Sequence, residues 1–450
     1  HIRLNNHIKR KYEPSTSTTT TNHTTNNKKS ARTTAIMNNT KNMLLEKNSS
    51  SDSSNSDKEN DNAKSPVSNL LIWLRLVEPG ANLHSLEIIP VYAFAFWFSL
   101  LGGAGEWGNT LMTLATTNAV LQLALFVMVV QIPAYLTGHM SNVDIAWPTG
   151  LVFLAAQALY HANKSAGQHE HDNNTDDHGN DGYAYLLHRS FLIGIALLLH
   201  GGRMAIGAFV LFFPFDWPQG DLSRYQYAKQ RWLQETANAE HLWWLKQQQD
   251  TIMQAYANSV LIAAPILLVG SNPNPAPLRP LELASFGCWL ASWTMENICD
   301  VQMQGFKHIT TQNGDAKTAV IGYPPYNGWK FLLWTKSRHP NYFFEWMCWN
   351  SILLLALPSA LDLLAIDSVS LIARWGLFVM FFYLSRIFYD CLVYWTGAEP
   401  AESRSVTRRP LYQQYQKKTN VFFPFPIPFF NHHRTPGWPV FQEEQEQKNK

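Results

Sequence analysis

Between residues 87 and 396 the chain repeatedly runs apolar for the length that a helix needs to cross a hydrocarbon layer, and this limits its fold more than any other feature. A lipid interior offers no water to backbone N–H and C=O groups, so a spanning segment must close its hydrogen bonds as a helix or join a closed barrel. Runs such as SVLIAAPILLVG lack the alternation of a barrel strand, which leaves helices. Eight spans are expected, near 87–103, 111–136, 145–161, 188–213, 252–270, 281–300, 346–366 and 369–396. Only Asp367 and Ser368 separate the last two, as in a tight hairpin or one re-entrant pair. The expected fold class is all-α, a polytopic integral membrane protein with about eight transmembrane helices.

The whole-chain mean hydropathy of -0.17 hides this pattern, because it averages a polar opening with an apolar body. Residues 1–66, rich in Asn, Ser, Thr and Lys, hold too few apolar groups to offset the entropy of ordering and are expected to be a disordered tail. The chain opens on His1 rather than methionine, and its start reads as low-complexity tail rather than an organelle transit segment. SNLLIWLRLVE, from Ser68, has the character of a short amphipathic helix. Residues 67–430 form the expected membrane domain, with a catalytic half at about 281–430, and 431–450 a polar tail. The 17 tryptophans include many at the ends of apolar runs, where an amphipathic ring suits the headgroup layer.

A net charge of +2 without a basic stripe gives no footing for nucleic acid, and no obligate protein partner is implied. Cys288, Cys299, Cys348 and Cys391 lie in or beside apolar runs and form no CxxC pair, so spacing indicates neither a zinc site nor a disulfide framework. Basic residues gather in the connections holding Arg224 to Lys246 and Lys307 to Arg338 and after the last span, whereas the connection from His161 to Asp181 is acidic. With eight crossings, the excess of Lys and Arg puts both termini and the basic loops in the cytosol, and the endoplasmic reticulum is the expected membrane. His169, Glu170, His171 and His178 in the acidic connection read as low-complexity insertion rather than a metal site, and Asn163 and Asn173 head sequons that suit a lumenal face.

Ionisable residues are costly inside apolar runs, which makes those present functional candidates. They concentrate from Glu296 to Pro424 in three clusters. In the first, Glu296 and Asp300 lie one helical turn apart on a shared face, with Gln302 close by and Lys307 two turns beyond Asp300. Carboxylates so spaced can accept hydrogen bonds from ribose hydroxyls or an amide, and Lys307 can meet a phosphate. The second is SRHPNYFFEW, in which Pro340 suits a first helical turn, Asn341 and Glu345 share a face, and Arg338 and His339 stand at an anion-favouring helix start. The third runs from Thr396 to Pro426, with Glu402, with Tyr412 and Tyr415 spaced as helical neighbours, and with Lys417 and Lys418 ahead of an aromatic and proline segment. Neither GxGxxG after a strand nor GxxxxGK[ST] occurs, so a nucleotide would have to bind between helices.

In this order E-x3-D-x-Q-x4-K, SRHPNYFFEW and RRPLYQQYQKKTNVFFPFP resemble the steroid 5α-reductase-like membrane reductases, in their uncharacterised DUF1295-type branch. NVDIAWP (Asn142 to Pro148) and DLSRYQYAKQRW (Asp221 to Trp232) look like further motifs of that branch, extending the likeness over about 85–430. The resemblance implies NADPH among the C-terminal helices and hydride delivery to the β-carbon of an enone in a lipid substrate. It implies Glu296, Asp300 and Lys307 at the cofactor's polar groups, and Asn341 with Glu345 at the nicotinamide and ribose. Arg338, His339 and Glu402 complete the implied cofactor set, Glu402 standing where the steroid enzymes use a histidine. Tyr342 and Glu345 are the candidate catalytic residues, one of them placing a donor where enolate charge develops. Asp144, Arg203 and Arg224 are candidates for the substrate end. RHPNY also occurs in isoprenylcysteine carboxyl methyltransferases, which leaves an S-adenosylmethionine-dependent methyltransferase as one alternative and a non-enzymatic membrane protein as another.

Overall fold

The computed structural model describes residues 84–100, 105–172, 188–212, 221–235, 240–274 and 277–425. The tails expected at 1–66 and 431–450, the amphipathic stretch from Ser68, and the acidic connection beyond Asp172 lie outside the described residues. Within these limits the chain is helical: α1 His84–Leu100, α2 Gly105–Phe126, α3 Ile132–Thr137, α4 Val143–Asp172, α5 Arg189–Phe212, α6 Ser223–Glu235 and α7 Glu240–Tyr256. There follow α8 Ala263–Gly270, α9 Pro280–Asn313, α10 Leu332–Lys336, α11 Pro340–Leu364, α12 Leu371–Asp390, α13 Ala398–Arg408 and α14 Tyr412–Lys418. Turns with π geometry carry α2 into α3, α7 into α8 and α12 towards α13. Extended pairing among the described residues is confined to a parallel bridge between Ser337 and Asn420.

Among the described residues, six helical segments are long and apolar enough to cross a membrane: Gly105–Thr137, Val143–His161, Arg189–Leu211, Trp244–Gly270, Pro340–Leu364 and Leu371–Arg408. The expected spans at 87–103 and 281–300 are not among them. The described part of helix α1, 17 residues, rises about 26 Å. Helix α9 is long enough at 34 residues, but Glu282, Glu296 and Asp300 interrupt its apolar half. The hairpin expected between the last two spans is present, α11 ending at Leu364 and α12 starting at Leu371 with Ser370 capping it by accepting from the Ala373 N–H.

Proline and glycine place the helices that build the interior. Pro340 opens α11 because its missing N–H is one the first turn leaves unpaired anyway, and His339 ahead of it has non-helical backbone (φ −135°, ψ 63°). Helix α5 lies on α4, and a Cβ on its Gly201 would fall 2.8 Å from Leu151 Cβ and 3.0 Å from the Pro148 carbonyl oxygen, so the close approach needs glycine there. Helix α9 lies along α11, and α12 along α1. A shared core of Leu151, Leu154, Ile193, Leu197, Ile352 and Leu384 joins these helices, while Phe94, Met128, Val210 and Leu371 point outward with 66%, 67%, 73% and 70% exposure. Between helices in lipid, apolar burial gains nothing from excluding water, so close approach and polar contacts carry more of the association. Such contacts are present: Gln122 donates to the Gly150 carbonyl at 2.8 Å and Asn258 to the Trp147 carbonyl at 3.0 Å, both buried or nearly so.

Asp221 fastens the two further motifs to each other. Its carboxylate accepts from the Met140 and Ser141 backbone N–H groups at 2.8 Å and from the Ser141 hydroxyl at 2.5 Å, closing the turn before α4 onto the start of α6. Neighbouring α6 residues then face α4: Arg224 pairs with Asp144, and the Tyr225 hydroxyl donates to Asp144 at 2.6 Å. Burial first, then the Asp144 charge, pushes the Tyr225 phenol well above its ordinary range, so it remains a neutral donor.

Candidate functional site

Three helices bring the first two clusters together. Glu296 and Asp300 project from one face of α9, as their spacing requires, and Arg203 of α5 bridges them, its guanidinium on Glu296 and 2.8 Å from Asp300. Asn341 on the first turn of α11 donates to the other oxygen of Asp300 at 3.4 Å. One turn on, Glu345 comes within electrostatic reach of Arg203, Asp300 and Arg224. Tyr342 stacks on the His339 ring (5.2 Å between centroids, 2° between planes), and its phenol feels Arg224, Glu345, Asp300 and Asp144.

The charges of this cluster do not balance. Asp144, Glu296, Asp300 and Glu345 meet the guanidiniums of Arg203 and Arg224; Glu296 is buried, and a buried carboxylate that shares its counter-ion favours a proton or a cation. Several polar atoms here are buried without a hydrogen-bond partner: Asn341 Oδ1, Arg203 Nε, Arg224 Nε and both ring nitrogens of His200. Buried polar groups are paired in the large majority of cases, so such a concentration marks a place where something further binds.

Arg338, His339 and Glu402 form a separate centre. Glu402 accepts from Arg338 Nε at 2.6 Å and Nη2 at 3.2 Å and from Gln416 Nε2 at 2.5 Å, and lies 3.0 Å from His339 Nε2. Arg338 Nη1 donates to the carbonyls of Thr419 at 2.6 Å and Gln416 at 3.1 Å. The segment after α14 is thereby strapped to the start of α11, helped by Arg338 N–H donating to the Asn420 carbonyl at 2.8 Å and the Ser337 hydroxyl to the Phe422 carbonyl at 2.7 Å. Tyr412 and Tyr415 are buried, and the Tyr415 hydroxyl donates to the Trp334 carbonyl. Burial pushes both phenols above their ordinary range, which suits neutral donors. The guanidinium of Arg338 is thus directed at protein acceptors, and Lys307, two turns beyond Asp300, is exposed.

Residues 185–419, more than half of the 450, match the family model described as a protein of unknown function, DUF1295. The chain belongs to the DUF1295 family. No curated protein and no solved structure matches it. Within the DUF1295 match fall Arg203, Arg224, Glu296, Asp300, Asn341, Tyr342, Glu345 and the Arg338–Glu402 strap, while Asp144 precedes it.

The DUF1295 site includes side chains that the sequence did not single out. His200 is wholly buried, 3.8 Å from Glu296 Oε2 through Nδ1, with its ring 5.6 Å from Trp349. Cys348 directs its Sγ to the same Glu296 oxygen at 4.0 Å. Trp349 stacks on Phe388 at 4.5 Å and meets Trp147 edge to face at 5.8 Å. A histidine three residues ahead of an arginine, inside the run FLIGIALLLHGGRMAIG, carries the signal that would have found His200, since i and i+3 share a helix face.

Proposed function

We propose that this DUF1295 protein is an integral membrane reductase that uses NAD(P)H to reduce a carbon–carbon double bond in a steroid-like or other lipid substrate. The observation that carries this reading is the meeting of Arg203, Glu296, Asp300, Asn341 and Glu345 in one cluster around the buried Glu296, with unpartnered polar atoms. The resemblance of its motifs to the steroid 5α-reductase-like family supplies the reaction class. Large apolar side chains exposed on the outer helix faces support a lipid setting, because contiguous apolar surface of that kind is rare in water. On this reading α1 and α9 complete eight crossings in the endoplasmic reticulum, which leaves the basic loops and both ends of the chain cytosolic.

The residues fit the nicotinamide end of the cofactor better than its phosphates. Asn341 Oδ1, buried and unpartnered, can accept from a carboxamide N–H, and Glu296, Asp300 and Glu345 offer acceptors to ribose hydroxyls. Phosphate charge would fall to side chains nearer the ends of α9 and α14, such as Lys307, because Arg338 is occupied by Glu402. When bound, NADPH supplies the hydride that adds to the β-carbon of an enone. Tyr342 and Glu345 then place an O–H donor at the carbonyl oxygen, where negative charge develops. Arg203 and Arg224 hold the neighbouring carboxylates in position, and the aromatic wall of Trp147, Trp349 and Phe388 keeps water out.

The test is NADPH binding to the purified full chain, followed by tryptophan fluorescence, and again with Asn341→Ala and Glu345→Ala. Binding by the wild type with at least about tenfold weakening in each variant is expected, because a lost buried hydrogen bond costs about 1–3 kcal/mol. A wild type that binds neither NADPH nor NADH sinks the proposal.

A further inference from the structure

Beyond this reading, three side chains from three helices converge on one point, and of them only Glu296 also belongs to the proposed cofactor site. His200 of α5, Glu296 of α9 and Cys348 of α11 are all buried, and their ligand atoms lie within 4.8 Å of one another. Glu296 has two faces here. One oxygen meets Arg203, and the other looks towards His200 Nδ1 at 3.8 Å and Cys348 Sγ at 4.0 Å.

Neither ring nitrogen of His200 has a hydrogen-bond partner, although the side chain is wholly enclosed. A buried imidazole without partners is costly unless something further satisfies it. The charge excess of the surrounding cluster, four carboxylates against two guanidiniums, asks for positive charge at the same place. A divalent cation here bonds one ring nitrogen of His200 and brings positive charge to the free oxygen of Glu296.

We propose that His200, Glu296 and Cys348 form a buried site for one divalent cation of the zinc type. An imidazole nitrogen, a carboxylate oxygen and a thiolate sulfur make a donor set that borderline-soft Zn²⁺ accepts and that Mg²⁺ or Ca²⁺ does not. The Cys348 thiolate and the Glu296 carboxylate offset the charge of the ion. Zinc bonds of about 2.0–2.3 Å set the edges of a tetrahedron at roughly 3.3–3.7 Å, so contraction by about 1.5 Å or less closes the set. Cys348 must give up its thiol proton on binding, which makes uptake release a proton and favours it at higher pH. Three protein ligands leave a fourth position for an outside oxygen, the arrangement of sites that polarise a ligand rather than only stapling a fold. Cysteine spacing could not indicate this, because each ligand comes from a different helix.

The proposal stands or falls without nucleotide, so its failure is separate from that of the reductase reading. The full chain, purified in detergent without chelator, is expected to carry about one zinc per molecule by elemental analysis. His200→Ala and Cys348→Ser are each expected to lower zinc affinity by about tenfold or more. Replacing the metal with Co²⁺ should produce a thiolate-to-metal charge-transfer band in the near ultraviolet, which Cys348→Ser loses. Should His200→Ala fail to fold, Cys348→Ser, which exchanges a single atom, and the wild-type cobalt spectrum still decide. A wild type that takes up neither Zn²⁺ nor Co²⁺, a cobalt spectrum without the thiolate band, or unchanged affinity in folded variants overturns the proposal.

Discussion

Replacing Glu402 by alanine is expected to cost stability rather than ligand affinity. Its carboxylate is almost fully enclosed, with 4% side-chain exposure, and receives two donors from Arg338 and one from Gln416, with His339 at 3.0 Å. Alanine leaves the equally enclosed Arg338 guanidinium with only the carbonyls of Gln416 and Thr419, and breaking a buried ion pair from one side costs about 3–5 kcal/mol. At about 1.4 kcal/mol per factor of ten, the unfolded fraction rises at least about a hundredfold. The measurement is denaturant-induced unfolding in detergent for Glu402→Ala, Arg338→Met and the double variant. The double variant should be destabilised by at least about 1 kcal/mol less than the two singles together, since partners in direct contact couple. A Glu402→Ala protein with wild-type stability that has lost NADPH affinity would refute the strap and return Glu402 to the cofactor.

Two further substitutions test how the chain is held. Gly322 has a left-handed backbone (φ +76°), and a Cβ there would stand 2.3 Å from the Trp334 carbonyl oxygen and 2.8 Å from the Tyr415 hydroxyl. Gly322→Ala should therefore cost at least about 2 kcal/mol in thermal unfolding, with Gly328→Ala, whose Cβ meets nothing within 4 Å, close to neutral as the control. Asp221→Ala removes the acceptor for the Met140 and Ser141 N–H groups; a loss of about 1–3 kcal/mol is expected, read as faster proteolytic cleavage near Met140, and unchanged cleavage counts against the clamp.

Much of the architecture was already legible in the residues. Apolar runs of spanning length, without alternation, required helices, and Pro340 marked where one of them starts. The four-residue spacings of Glu296 with Asp300 and of Asn341 with Glu345 put each pair on a shared face, as the structure has them. Asp144, Arg203 and Arg224, named as candidates for the substrate end, all lie in the charged cluster. Pattern served less well for counting spans, because α9 mixes apolar surface with the carboxylates of the site.

The sequence by itself determined that the chain is helical, where its costly side chains stand, and which of them share a helix face. Only the tertiary structure decided that Arg203 would reach Glu296, 93 residues away, that Arg338 would spend its guanidinium on Glu402, 64 residues on, and that His200 and Cys348 would meet at one carboxylate oxygen. Helical periodicity orients each side chain about its own axis. Which helix lies opposite depends on close approach at residues such as Gly201 and on pairing charges that cannot be buried alone, and neither is written along any single helix.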